Sequence, residues 1–153
     1  MSLRFQLLTR ERLLETLGLV EEFYREERLP FDLPIISRSL QELLAAPESG
    51  RLWLLESDEQ TIGYFLLTSG FILEFGGRQY FLDEFYVQPH LRGRGLGTLA
   101  IGFIEGLCRA EGVHVLRLEV ESANSRSIAL YERLGFRRHE RHTMTRILRG
   151  LGE

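Results

Sequence analysis

Between residues 10 and 46 the apolar positions return every three or four residues. Leu13, Leu17, Val20 and Tyr24 form one stripe, with charged residues over most of the remaining face, and Ile36, Leu40, Leu43 and Leu44 form a second. This spacing predicts two amphipathic helices. Phe5 to Leu8 reads as a short strand before them, and Thr9 stands where an N-cap is expected. Pro30 and Pro34 punctuate the passage between the helices, and Pro47, Ser49 and Gly50 end the second. The run Glu21, Glu22, Arg25, Glu26, Glu27, Arg28 is most simply a solvated helix face.

The pattern then changes to short apolar runs between turn residues, which predicts strands. Leu52 to Glu56 and Ile62 to Thr68 are joined by the polar turn Ser57–Gln60. Phe71 to Phe75 continues or pairs with the second of them, and Gly76 and Gly77 turn the chain into a strand over Tyr80 to Val87. After Gly93, Gly95 and Gly97 a helix is expected to carry Leu99, Phe103 and Leu107 toward the core, closed by Gly112. Val113 to Val120 reads as a strand and Asn124 to Leu134 as a short helix with Gly135 at its C-terminus. Phe136 to Ile147 is assigned to the last strands. The order β-α-α-β-β-β-α-β-α-β is that of a mixed α/β layer fold. No linker or repeat interrupts it, so residues 1–153 are expected to form one domain.

Composition removes several alternatives. The chain has 153 residues and a formal net charge of −3, which argues against a nucleic-acid partner. Cys108 is the only cysteine, which excludes an intramolecular disulfide and a cysteine-built zinc site. His139 and His142, three apart in a strand-like stretch, should face opposite sides, so no metal is expected. The N-terminus lacks the apolar core of a signal peptide, and no window is long enough to span a bilayer. The expectation is a cytoplasmic protein without a membrane partner.

The central chemical signal is the segment from Val87 to Thr98, VQPHLRGRGLGT. A strand ends, a glycine-rich turn follows and a helix opens. Glycines let backbone approach a ligand closely. The first helical turn offers unpaired N–H groups and the positive end of the helix dipole, which together favour a pyrophosphate. Arg92 and Arg94 add charge. The spacing of Gly93, Gly95 and Gly97 fits neither the dinucleotide fingerprint nor the P-loop, which needs a Lys before Thr98.

Arg92-x-x-Gly95-x-Gly97 resembles the Arg/Gln-x-x-Gly-x-Gly/Ala motif of the GNAT family of N-acetyltransferases. Leu82 to Val87 looks like that family's fourth strand, and Asn124 to Phe136, NSRSIALYERLGF, is similar to its Asn-x-x-A-x-x-x-Y-x-x-x-G-F signature, with the alanine shifted. The resemblance implies a single mixed, mostly antiparallel sheet flanked by about four helices, with strands four and five splayed. It implies acetyl-CoA as co-substrate and no metal. Backbone N–H groups of Arg94, Gly95, Leu96, Gly97 and Thr98 would hold the pyrophosphate. Phe85, Tyr86 and Val87 would offer backbone to the pantetheine arm, and Asn124 would touch the cofactor.

Acyl transfer to an amine must remove a proton from an ammonium and supply one to the departing thiolate. Tyr131, by its residue pattern a core aromatic of its helix, stands where the family commonly places the general acid. Asp83 and Glu84 are the candidate bases. Strand alternation allows at most one of them to face the reacting group squarely, unless a bulge intervenes, and the preference falls slightly on Glu84. Glu74 is a candidate for lining the acceptor site. With Glu22, Glu26, Glu27 and Asp32 it hints at a cationic acceptor. Trp53 is core or a pocket wall.

The function expected is direct transfer of an acetyl group from acetyl-CoA to a primary amine in a ternary complex. The acceptor is a small-molecule amine or a peptide amine. The rival is a sensor or interaction domain that binds acyl-CoA without turnover. Dimers are common in the family, so a homodimer is among the states the resemblance implies.

Overall fold

The computed structural model describes residues 2–148. Its elements run β1 (Leu3–Leu7), α1 (Leu13–Glu26), α2 (Leu33–Ala45), β2 (Gly50–Ser57), β3 (Gln60–Ile72), β4 (Gly77–Val87), α3 (Leu96–Ala110), β5 (Val115–Leu118) and α4 (Ser125–Arg133). The chain divides into two compact units, one ending at Glu119 and the other beginning at Val120.

The first unit holds a five-stranded sheet in the order β1-β2-β3-β4-β5. The first three pairings are antiparallel and β4–β5 is parallel. Hairpin connections favour the antiparallel pairs, whereas the crossover through α3 delivers β5 parallel to β4. Helices α1 and α2 cover one face of the sheet, where Leu19, Val20 and Leu40 pack on Leu52, Leu54, Tyr64 and Tyr86. On the other face Phe103 of α3 stacks on Phe5 at 4.2 Å between ring centroids and meets Trp53 edge-on at 5.1 Å. Trp53 is therefore a half-buried residue packed on the α3 face.

Several expectations change in detail. Thr9 precedes a 3-10 turn, Arg10–Arg12, makes no side-chain cap, and leaves α1 to begin after Arg12. Asp32 is the effective cap of this region. Its carboxylate accepts from the Ile35 amide at 3.0 Å, and Pro34 sits inside the first turn of α2, where its missing N–H has no cost. In α3 the buried ridge is Leu96, Ala100, Ile101, Ile104 and Cys108, while Leu99 is 51% exposed. Both stripes have helical period; which arc of the helix is buried follows from how it sits on the sheet.

The second unit contains α4, capped by Asn124, whose side chain accepts from the Ser127 amide at 3.1 Å. The helix ends at Gly135, with a φ of 98°. No strand follows it among the described residues, against the expectation for Phe136 to Ile147. Charged residues Arg137, Arg138, Glu140 and Arg141 break the apolar run there, and Arg138 pairs with Glu132 at 2.9 Å instead.

Candidate active site

Strand β4 changes character along its length. Residues Gln79–Leu82 pair with β3 on one edge and with β5 on the other. Beyond Leu82 only the β3 pairing continues among the described residues, through Val87. The sheet is thus open between β4 and β5 over the second half of β4, the divergence expected of strands four and five.

At the point where β5 leaves, β4 carries a bulge. Leu66 lies opposite Glu84 and Leu67 opposite Leu82, so Asp83 is the extra residue. The insertion inverts which parity of β4 faces which helices. Before it, Tyr80 faces α3 and donates to Glu111 at the end of that helix at 2.8 Å. After it, Glu84 and Tyr86 face α1. Glu84 accepts from Tyr24 of α1 at 2.6 Å and from Tyr64 of β3 at 2.7 Å. Tyr86 donates to Glu22 of α1 at 3.0 Å.

Asp83 turns to this same face, accepting at 2.5 Å from Thr68, whose methyl lies near the Leu43 side chain of α2 beside Gly50. The bulge therefore places both carboxylates on one side of the sheet, where plain alternation predicts one. Asp83 is exposed, and Glu84 is half-buried. Burial raises the Glu84 carboxyl above its ordinary range; the two phenol bonds oppose that rise and the Asp83 charge adds to it. Tyr24 and Tyr64 are both raised by burial and by their bond to Glu84. Neither tyrosine was selected from sequence as a site residue. Tyr24 stood in a core stripe and Tyr64 inside a strand, and no local motif joins residues 40 apart.

The glycine-rich turn lies beyond the open end of β4. Gly93 and Gly95 have φ of 79° and 80°, the left-handed region that glycine enters freely. Gly95 is the N-cap of α3, no side chain caps the helix there, and its first turn holds no acidic residue. The amides of Leu96, Gly97 and Thr98 consequently lack the partners that helical bonding gives later residues. A Cβ built on Gly95 would meet open space. Arg94 and Thr98 are exposed at this turn.

Backbone directions along the open edge follow from the pairing. The Gln88 amide donates to Ile62 of β3, and a Cβ on Gly63 would lie 2.1 Å from the Tyr86 carbonyl oxygen. Tyr86 thus turns its backbone toward β3. By alternation Phe85 and Val87 turn theirs toward the open edge. The Val87 carbonyl already accepts from Arg92 Nε at 2.8 Å.

Arg92 is held from three sides. Besides Val87 it donates to Glu26 of α1 at 2.8 Å and lies over the Tyr86 ring at 5.6 Å. Its charge is engaged within the protein. The acidic residues of the α1 region are similarly occupied, Glu22 by Tyr86 and Gln88, Glu26 by Arg92 and Asp32 by the α2 cap. Glu22 and Glu26 are correspondingly not plain solvated-face residues, and the hint of a cationic acceptor loses three of its five carboxylates.

Glu74 stands at the turn between β3 and β4, three residues before Gly77. Glu84 is seven residues further along β4, roughly 20 Å at strand rise. The structure does not bring Glu74 to the carboxylate pair. Tyr131 and Asn124 belong to the second unit. Burial raises the Tyr131 phenol, its ring meets Phe136 edge-on at 5.6 Å, and the Asn124 oxygen is taken by its capping bond.

Comparison with known proteins decides the lineage. The model of the acetyltransferase (GNAT) family matches residues 16–136. The chain belongs to that family. It is an N-acetyltransferase by the relatives it resembles. Among them, the [ribosomal protein bS18]-alanine N-acetyltransferase of Escherichia coli K12 is 32% identical over 110 residues, covering 69% of this chain and 74% of the relative.

Solved GNAT-like structures agree on the fold. An integron cassette protein from the mobile metagenome of Cole Harbour Salt Marsh superposes with a TM-score of 0.82 at 30% identity, covering 95% of this chain and 91% of that one. Aminoglycoside N-acetyltransferase AAC(6')-Iy, solved in complex with CoA, superposes with a TM-score of 0.81 at 17% identity, covering 96% and 95%. Among the described residues no three metal-ligating side chains cluster, and no helix is long and apolar enough to cross a membrane.

Proposed function

We propose that this GNAT protein transfers an acetyl group from acetyl-CoA to a primary amine by direct attack within a ternary complex. The observation that carries the reading is the open second half of β4, which ends at a glycine-capped helix start and carries an ionisable carboxylate on the α1 face. An extended thioester cofactor needs an unpaired strand edge for its amides and unpaired N–H groups for its pyrophosphate. Phe85 and Val87 offer the first. Arg94, Gly95, Leu96, Gly97 and Thr98 offer the second. Tyr86 and Arg92 serve this site by holding the loop against α1.

Acetyl-CoA supplies the activated acyl group. Glu84 takes the proton from the acceptor ammonium, directly or through water, because its raised carboxyl brings it nearer to the amine in proton affinity. Asp83, on the same side, favours a cation there. Tyr131, by its place in the family signature, gives a proton to the departing thiolate. Asn124 keeps a cofactor role only if its capping bond is shared, and Glu74 reads as a residue of the hairpin end rather than of the acceptor pocket.

The family match runs through the boundary between the two units, which supports reading residues 1–153 as one acetyltransferase domain. A peptide α-amine is the first acceptor to try, because the curated relative at 32% identity is named for N-acetylation of an alanine of ribosomal protein bS18. A cytoplasmic location completes the reading.

The test is calorimetric titration with acetyl-CoA, followed by thiol release with an alanine-N-terminal peptide. We expect saturable binding that Gly95→Glu weakens by at least about 100-fold, since a carboxylate there repels the phosphates and competes for the helix-start amides that would hold them, and a side chain is strained at this left-handed position. Binding that survives this substitution removes the turn from the cofactor site. Binding without turnover on peptide and small amines would favour the sensor reading.

A further inference from the structure

Glu84 is gripped in a way that neither strand geometry nor core packing requires. Tyr24 donates to Glu84 Oε2 at 2.6 Å and Tyr64 donates to Glu84 Oε1 at 2.7 Å. Each carboxylate oxygen thus has its own phenol, from a different element. Tyr24 comes from the last turns of α1 and Tyr64 from the middle of β3. The phenols are themselves fixed by rings. Tyr24 meets Phe31 edge-on at 6.2 Å, and Phe23 meets Tyr64 edge-on at 6.2 Å. Tyr64 is fully buried, so its hydroxyl has no solvent alternative to Glu84.

We infer that Tyr24 and Tyr64 are positioning residues that set the orientation and the proton affinity of Glu84. The inference rests on the reading of Glu84 as the base. Two donors aimed at separate oxygens hold the carboxylate plane, leaving one lone-pair direction on each oxygen for an acceptor amine or a water. When Glu84 takes the ammonium proton it becomes a neutral acid with one O–H. That O–H lies on the free lone pair, so both phenols keep donating to the other lone pairs and the proton is accommodated without moving the chain. Burial alone favours the protonated form of this carboxyl, and the two donors favour the ionised form that can take a proton.

The charged and titratable groups facing Glu84 are few. From α1 they are Tyr24 and, one step removed through Tyr86, Glu22; from β3, Tyr64; from β4, Asp83 and Tyr86. Asp83 opposes ionisation of Glu84, and the two phenols favour it. Removing a phenol must therefore raise the Glu84 carboxyl.

The experiment is a pH titration of the whole chain labelled with ¹³C at the glutamate carboxyl, the Glu84 resonance being identified by its loss in Glu84→Gln. Tyr24→Phe and Tyr64→Phe keep the rings and delete one hydroxyl each. Each should move the Glu84 midpoint upward by about one pH unit, a tenfold change in proton affinity. The acid limb of kcat/KM for the alanine-N-terminal peptide should move with it, while the dissociation constant for acetyl-CoA stays unchanged. A Glu84 midpoint that does not move in Tyr24→Phe, in a variant whose thermal melt matches the parent, overturns the inference. Full turnover by Glu84→Gln, with the midpoint shifts intact, would instead remove Glu84 from the base role and leave the phenol clamp standing.

Discussion

The two halves of β4 share one strand and behave as different structures. From Gln79 to Leu82 both edges are paired, and the side chains serve stability: Tyr80 joins Arg51 and Glu111 in a network at the end of α3. From Asp83 to Val87 one edge is open, and Glu84 and Tyr86 carry groups whose proton affinities are raised. Tyr86, for instance, is pushed up to about 12 by burial and by Glu22. One inserted residue separates the two halves. A strand that loses a neighbour exposes backbone donors and acceptors, and the same bulge that ends the pairing aims the acidic side chains. Ligand edge and chemistry thereby arise at one place.

Deleting Asp83 should break the comparison most severely. Without the extra residue, Glu84 and Tyr86 would face α3 or β4 would slip against β3, since a one-residue shift exchanges the two faces. We expect a loss of about 3 kcal/mol or more in urea unfolding, together with loss of turnover. A deletion variant as stable as the parent would show that the bulge does not set the facing of β4.

Arg51→Ala acts on the paired half alone. It removes the Arg51–Glu111 ion pair at 2.7 Å, which is only partly shielded from water. The expected loss is about 1 kcal/mol at neutral pH with kcat/KM for the peptide unchanged. Arg51 holds the Glu111 carboxyl below its ordinary value, so that stabilisation is present above the unfolded value and is lost as pH falls through the lower folded one. The difference between variant and parent should therefore shrink in acid. A change in kcat/KM of more than severalfold would tie the paired half to catalysis and erase the contrast.

The smallest effect has the opposite sign. The Glu84 carboxyl lies above its ordinary value of 4.5 in the folded chain. The native state then binds the proton better than the unfolded one, an advantage fully present at acid pH and lost as pH rises through the folded value. Glu84→Gln, free of this loss, should melt higher than the parent at neutral pH, and the gap should close toward pH 4.5. A melt below the parent at pH 7 would mean that the phenol bonds to the carboxylate outweigh the cost of burying it.

The order of elements as far as α4, the glycine turn and the family are legible in the sequence. These are local signals. Helical and strand periods lie within a dozen residues, and Gly95, Gly97 and the Asn124 signature are contiguous strings. Even so, local strings left roles ambiguous. Arg92 and Asn124 were equally readable as ligand groups, and the fold engages the one with Glu26 and uses the other as a cap. Which arc of α3 is buried, and whether Phe136 to Ile147 finds a partner strand, also lay beyond periodicity, because both depend on surfaces distant in the chain. The tertiary structure alone decided that Asp83 and Glu84 share a face, since a bulge is a mismatch between two strands and has no signature in one. It likewise decided that Tyr24, Tyr64 and Glu84 meet. Hydrogen bonds between residues 20 and 60 apart exist only after helix and sheet have packed.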